Sequence, residues 1–438
     1  MQKIHPEAKI LNDKLQRISS FPYDCLSGLG KKLFYPKGIL AQSAEAGKKA
    51  DKKFNATIGS ATSNGKPMIF DFIGKEFDQF EAKDVFTYAP VTGRVKLRSL
   101  WREKIYRENP SLNGLEISSP IVTNGITHGL SVCADLFCDA GDTVLVPDMF
   151  WENYSLIFEV RRDVELKKFR FFNDEGRLDL VDMEKKISEL GGKDKTLRLI
   201  FNFPNNPSGY NLYEDEAKGI RDILLKYANQ GFRFLVVTDD AYFGLFFDDS
   251  FRQSLFSLLA GAHKNILAVK LDAATKEFFV WGFRLAFITF GTAAENKQDI
   301  YSVLETKTNG IIRASISSAN HHSQTVIERA LENPEYPKSF AKNNDILSLR
   351  AKKVKEIALR PEYSKHWDVY PFNSGYFMCL KLKNADAEKL RVLLLDKFST
   401  GAIAMSEKDL RVAFCSVEVE DIPELFNKIS AACSALNQ

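Results

Sequence analysis

From about residue 117 onward, short apolar runs recur between turn residues: "ISSPIVT", "GDTVLVPD", "VELKKFRF", "TLRLIFNF", "FRFLVVTD", "KNILAVKL" and "RLAFITF". Each is long enough for one strand and is bounded by Gly, Pro, Asn or Asp, and helical patterns such as "YEDEAKGIRDILLKYANQ" lie between several of them. Apolar strands alternating with helices predict an α/β fold with a mainly parallel sheet. Only a short connection joins the last two runs, so an antiparallel member is expected there.

The pattern changes after about residue 300. "SQTVIERALENPEYPKSFAKNNDILSLRAKKVKEIAL" reads as helices, and "GYFMCLKL" and "LRVAFCS" read as strands with a helix between them. This predicts a second, smaller α+β domain. The division expected is a large domain over 61–320 and a small one over 321–438, which the N-terminal segment 1–60 joins.

Charge narrows the function classes. Sixty Lys+Arg against 57 Asp+Glu leave a net +3, too weak a field to gather nucleic acid or an anionic membrane. The six cysteines (Cys25, Cys133, Cys138, Cys379, Cys415, Cys433) lack CxxC spacing and fit buried thiols in a reducing compartment better than disulfides or zinc. No metal site is expected from the six histidines either. His321 and His322 are adjacent, cannot readily share one metal, and read as a solvated loop. The opening "MQKIHPEAKILNDKLQRISS" has no apolar core of a signal peptide, and no 18-residue apolar span occurs, so a cytoplasmic protein is expected.

Ligands of open α/β sheets bind beyond the carboxyl ends of the strands, which makes the residues after each run the candidates. Lys276 and Arg284 stand between two apolar runs, an environment that cations avoid unless something pairs with them or uses them. "NFPNNPSGY" (202–210) leaves its strand in a turn that offers side-chain amides. "DDAYFG" (239–244) puts acids at a strand end, suited to a helix cap or to pairing a buried cation. "NGITHGL" (124–130) is a glycine turn opening a helix, whose free N–H groups suit a phosphate.

Taken in order, "NNPSG", "DDAY" and the Lys276 to Arg284 spacing resemble the fold-type I, pyridoxal 5′-phosphate (PLP) dependent aminotransferases of class I/II, with some similarity to aspartate and aromatic aminotransferases. The resemblance runs from about Gly59 to Arg411. It implies a seven-stranded, mainly parallel sheet in the large domain and a homodimer with shared active sites. Lys276 matches the lysine that forms a Schiff base with the cofactor and later acts as general acid/base, and Arg284 matches the arginine that grips the phosphate. Asp239 matches the carboxylate paired with the pyridinium nitrogen. Asn206 and Tyr242 match the residues that hydrogen-bond the phenolic oxygen, and Trp151 the aromatic stacked on the ring. Gly125, Ile126 and Thr127 align with the phosphate-cradling turn, and Tyr88 with the tyrosine that reaches the partner's phosphate. For the substrate, Gly59 and Asn206 would lie beside the α-carboxylate, Arg411 would bind it, and Arg313 matches an arginine that crosses the interface to a side-chain carboxylate. That last match favours aspartate or glutamate; a helix-surface arginine is the alternative.

The chain departs from the pattern at three places: Ala273 where a serine usually adds a phosphate ligand, Ala286 where glycine is common, and Phe203 in place of a common proline. The implied activity is amino transfer between an L-amino acid and a 2-oxo acid by a ping-pong cycle. A PLP-dependent lyase or synthase is the alternative on the same scaffold. A PLP-sensing transcription regulator fits less well, because only about 60 residues precede Gly59 and they hold no basic helix pair.

Overall fold

In the computed structural model, residues 4–18, 23–24, 26–34, 38–75, 79–192 and 196–436 are described, and Cys25 lies outside them. The apolar runs become strands: β1 (Ile121–Thr123), β2 (Thr143–Pro147), β3 (Glu165–Phe169), β4 (Thr196–Phe201), β5 (Arg233–Asp239), β6 (Ile266–Ala273) and β7 (Ala286–Thr292). They form one seven-stranded sheet in the order β1-β7-β6-β5-β4-β2-β3. β2 to β6 pair in parallel, while β7 runs antiparallel to both β6 and β1, because the short β6–β7 connection cannot cross over.

Central strands of such a sheet are covered on both faces, which explains their continuous rather than alternating hydrophobicity. β6 and β7 are buried almost throughout. Helices Val95–Glu108, Ile126–Phe137 and Glu214–Asn229 bury residues such as Trp101, Leu130 and Ile220 in the same core as the sheet. Each large apolar side chain so buried contributes about 1.5–3 kcal/mol before entropy is counted.

A second core surrounds four antiparallel strands, β8 (Trp367–Val369), β9 (Phe377–Leu382), β10 (Ile403–Ala404) and β11 (Asp409–Ala413), ordered β8-β9-β11-β10. Helices Ala387–Phe398 and Ile422–Leu436 pack into it. The N-terminal segment enters the same core through Phe54 and Ala56, and the Ala56 N–H donates to the Gly401 carbonyl while its own carbonyl accepts from Ala413. Helix Tyr336–Ala358 serves both cores, giving Leu347 to the first and Ala351, Val354 and Ile357 to the second.

One expectation is corrected. His321 and His322 open helix His321–Glu332 instead of lying in a solvated loop. Asn320 caps that helix by accepting from the Ser323 N–H, and His321 Nε2 lies 2.8 Å from Arg94 Nη1. The asparagine cap, one residue upstream, is the signal that favours a helix start.

Candidate active site

The connection between β6 and β7 turns at once into a short helix, Ala274–Glu277, which brings Lys276 to the carboxyl end of the sheet. The ammonium of Lys276 lies 4.7 Å from the Tyr242 ring centroid, and among the described residues no carboxylate pairs with it. Burial pushes its pKa down to about 8, aided by Arg284 and opposed by Asp239. An amine in that condition is deprotonated often enough near neutrality to act as a nucleophile.

Asp239 ends β5 and is buried. Its Oδ2 accepts from the Tyr154 hydroxyl at 2.6 Å and its Oδ1 from the Ala241 N–H at 3.2 Å, while its carbonyl accepts from Asn202 Nδ2 at 2.7 Å. Burial raises its pKa to about 6 against the lowering effects of the Tyr154 hydrogen bond and Lys276, so the carboxylate is mainly ionised at neutral pH. Asn202 also accepts from the Asn206 N–H at 2.8 Å and so braces the turn after β4.

Opposite the carboxylate, β1 leads through Gly125 into helix Ile126–Phe137. Gly125 has φ +83°, a conformation other residues adopt only with strain, and a Cβ there would lie 2.4 Å from Arg284 Nη2. The glycine thus lets the guanidinium approach the helix N-terminus, where the first N–H groups have no intrahelical acceptor. Arg284 donates to the Trp281 carbonyl and pairs with no carboxylate among the described residues. Ile126, Thr127, Trp151, Asn202, Asn206, Asp239, Tyr242, Thr275, Lys276 and Arg284 line one cavity of about 200 Å³.

The sequence pattern of the aminotransferase class I and II family matches residues 53–429. The chain belongs to this family. Similar relatives include a probable aspartate/prephenate aminotransferase of Rickettsia conorii, 25% identical over 304 residues, with 68% of each chain covered. The aspartate aminotransferase of Pyrococcus horikoshii is 23% identical over 350 residues, covering 79% of this chain and 82% of that protein. A solved aminotransferase structure from Anaerococcus prevotii superposes with a TM-score of 0.82 at 21% identity, covering 93% of this chain and 98% of its own. The protein is therefore a transaminase, an enzyme with the fold-type I architecture.

The family uses PLP, and the residues of this aminotransferase fit that group. An unpaired guanidinium and free helix N–H groups suit its phosphate, a buried carboxylate suits its ring nitrogen, and a buried amine lacking a carboxylate partner suits its aldehyde. Ala273 brings no hydroxyl, whereas Thr275 lines the cavity.

Beyond the cavity, Arg411 on β11 is buried and donates to Asn206 Oδ1 and to the Thr57 carbonyl, each at 3.0 Å, leaving its Nε without a partner. The Phe377 ring lies 4.1 Å from its guanidinium. Phe377 also closes on Gly59, where an added Cβ would lie 2.9 Å from the ring and 3.7 Å from the Tyr242 hydroxyl. Tyr88 and Arg313 are not brought to this cavity within the chain. Both are exposed, and Arg313 donates to Ser317 Oγ from the last turn of helix Lys297–Ser315.

Tyr154 carries no role in the sequence pattern, and Asn202 enters it only as the first amide of the "NFPNNPSGY" turn. Tyr154 stands three residues after Trp151, and Asn202 directly follows β4; the second had a positional signal, the first had none.

Proposed function

We propose that this chain is a PLP-dependent aminotransferase in which Lys276 carries the cofactor and moves the Cα proton, with a dicarboxylic amino acid as one of its donors. The observation that carries this reading is the buried, unpaired ammonium of Lys276 facing Tyr242, in the cavity that Asp239, Asn206 and Arg284 also line.

When bound, PLP supplies an aldehyde that takes up the amino group and a ring that accepts the electrons left at the substrate Cα. The chain supplies the rest. Arg284 and the N–H groups after Gly125 would hold the phosphate, Trp151 would cover the ring, and Asp239 would keep the ring nitrogen protonated. Asn206 and Tyr242 would hydrogen-bond the phenolic oxygen. Arg411 holds the substrate α-carboxylate, and the close packing of Phe377 and Gly59 confines it. Lys276 would serve as the base that takes the Cα proton and as the acid that gives it back. The donor's amino group would pass to a 2-oxo acid in a ping-pong cycle, with water releasing the donor's own carbon skeleton as a 2-oxo acid.

The relatives' names support aspartate and prephenate as substrates to try first. Arg313 would reach the side-chain carboxylate in the neighbouring subunit, and Tyr88 the neighbouring phosphate. Tyr88 is 90% exposed, with Phe86 at 84% and Val95 at 78%, surface that a second copy of the chain would cover. A homodimer with shared sites follows. The second core, with Phe54 and Ala56 packed among residues 351–433, supports a small C-terminal domain joined by the N-terminal segment, whereas Val326, Ile327 and Ala330 lie in the first core, so the large domain would run past the expected boundary at residue 320. The five described cysteines are free and buried, which fits a reducing compartment such as the cytoplasm.

A panel of amino acids assayed with 2-oxoglutarate tests the reaction. Glutamate should form in step with the donor's 2-oxo acid, fastest with aspartate. Release of ammonia and pyruvate without any acceptor would identify a lyase and overturn the reading.

A further inference from the structure

The mechanism leaves unexplained a second lysine buried beside the site. Lys270 lies on β6, with its side chain 1% exposed, and forms ion pairs with Asp240, 2% exposed, and with Asp272 at 3.3 Å. Successive strand residues point to opposite faces, so Lys270 and Asp272 share the face that Leu271 does not. Asp239 pairs with Leu271 in the ladder, and the Asp240 N–H continues it by donating to the Leu271 carbonyl at 2.8 Å. Asp240, just past the end of β5, and Asp272 on β6 therefore end up as neighbours, like charges that would repel, and Lys270 bridges them.

Several charged and aromatic groups face this lysine from the neighbouring elements. From the loop after β5 come Asp240, whose Oδ2 accepts from Ser254 Oγ at 2.6 Å, and the Phe243 ring, 4.7 Å away. Asp272 accepts from Trp101 Nε1 at 3.0 Å. Lys104, on the same helix as Trp101, acts on Lys270 as a like charge and is itself paired with Glu277 and Glu108. Glu277 accepts in turn from the Tyr336 hydroxyl at 2.8 Å. Burial alone would lower the Lys270 pKa, but Asp240 and Asp272 more than offset it, so the group is a permanent cation and not a second nucleophile. Buried ion pairs add little net stability over apolar packing, so stability does not explain this one.

Two acids of this cluster adjoin residues with proposed catalytic roles, Asp240 following Asp239 and Glu277 following Lys276, and Asp272 stands four residues before Lys276. We propose that Lys270 is a positioning residue for amino transfer, whose buried ion pair with Asp240 locks the ends of β5 and β6 together and so fixes Asp239 and Lys276 relative to the cofactor. The inference rests on the roles given above to those two residues.

The pair also puts one positive and one negative charge behind the site, which gives its test a sign. Holoenzyme variants Lys270→Met and Asp240→Asn and their combination are compared by the pH midpoint of the bound cofactor's visible band and by kcat and KM. Losing the cation should raise the midpoint and losing the anion should lower it, each by about half a pH unit or more, and the double variant should return close to wild type. Each single variant should lose about tenfold or more in kcat with KM changed far less, and the double should recover most of that loss. Midpoints that stay put, or that move in the same direction in both single variants, would overturn the proposal, as would a double variant no better than the singles. If Lys270→Met does not fold, Asp240→Asn carries the test alone, because Lys270 then keeps Asp272: a lowered midpoint supports the proposal and an unchanged one overturns it. Failure of the Lys276 role would be seen separately, as borohydride fixing cofactor to a different residue.

Discussion

Two titratable groups with opposite shifts face one cavity. Lys276 is drawn down to about 8 and Asp239 up to about 6, both chiefly by burial. Only the neutral amine can attack an aldehyde, so capture of PLP by the cofactor-free protein should speed up about tenfold per pH unit below 8 and level off above it, as stopped-flow absorbance would record. For Asp239 the folded state binds the proton more tightly than the unfolded chain does. Its contribution to stability is therefore present below the ordinary carboxylate range and is lost as pH rises through about 6. Asp239→Asn should then stabilise the cofactor-free protein at pH 8 by up to about 3 kcal/mol, seen as a higher melting temperature, and change it little at pH 4. The same variant should bind PLP yet lose about 100-fold or more in kcat, because the ring nitrogen loses its counter-charge. Tyr154→Phe removes a donor from the carboxylate and should move the acid limb of the pH–rate profile upward by roughly one unit.

Elements decide where those residues stand. Gly125 holds φ +83° between β1 and helix Ile126–Phe137, against the Arg284 guanidinium. Gly125→Ala should weaken PLP binding about tenfold or more, measured by titration of the cofactor-free protein, and destabilise the fold by about 1 kcal/mol or more. The turn itself was legible, since "NGITHGL" follows an apolar run and opens a helical pattern. So were the strands, because burial on both faces leaves continuous apolar runs, and the reversal at β7, because its connection is too short for a crossover. What the sequence does not show depends on contacts distant along it. Tyr154 is joined to Asp239 across 85 positions, and Lys270 to Asp240 across 30. The adjacent histidines misled for the opposite reason: their polarity suggested a loop, and the Asn320 cap made a helix.

At the scale of the whole molecule the chain places its proposed catalytic cluster beside one core and Arg411, the arginine proposed to hold the substrate carboxylate, on the sheet of the other. Asn206 and Arg411 join them, so substrate binding can act on the angle between the cores. Arg313 belongs to a larger scale still, since the role proposed for it would exist only in a dimer. Arg313→Ala should lower kcat/KM for aspartate and glutamate by roughly 30-fold or more and change that for alanine far less. Loss on every substrate alike would assign it a structural role. The central claim is that one lysine, Lys276, carries the cofactor, and it is tested most directly by reducing the PLP-loaded protein with borohydride and locating the modified residue by peptide mass spectrometry. The modification should fall on Lys276 and vanish in Lys276→Ala together with turnover; cofactor fixed to Lys270 or any other lysine, or still fixed in the variant, would contradict the account.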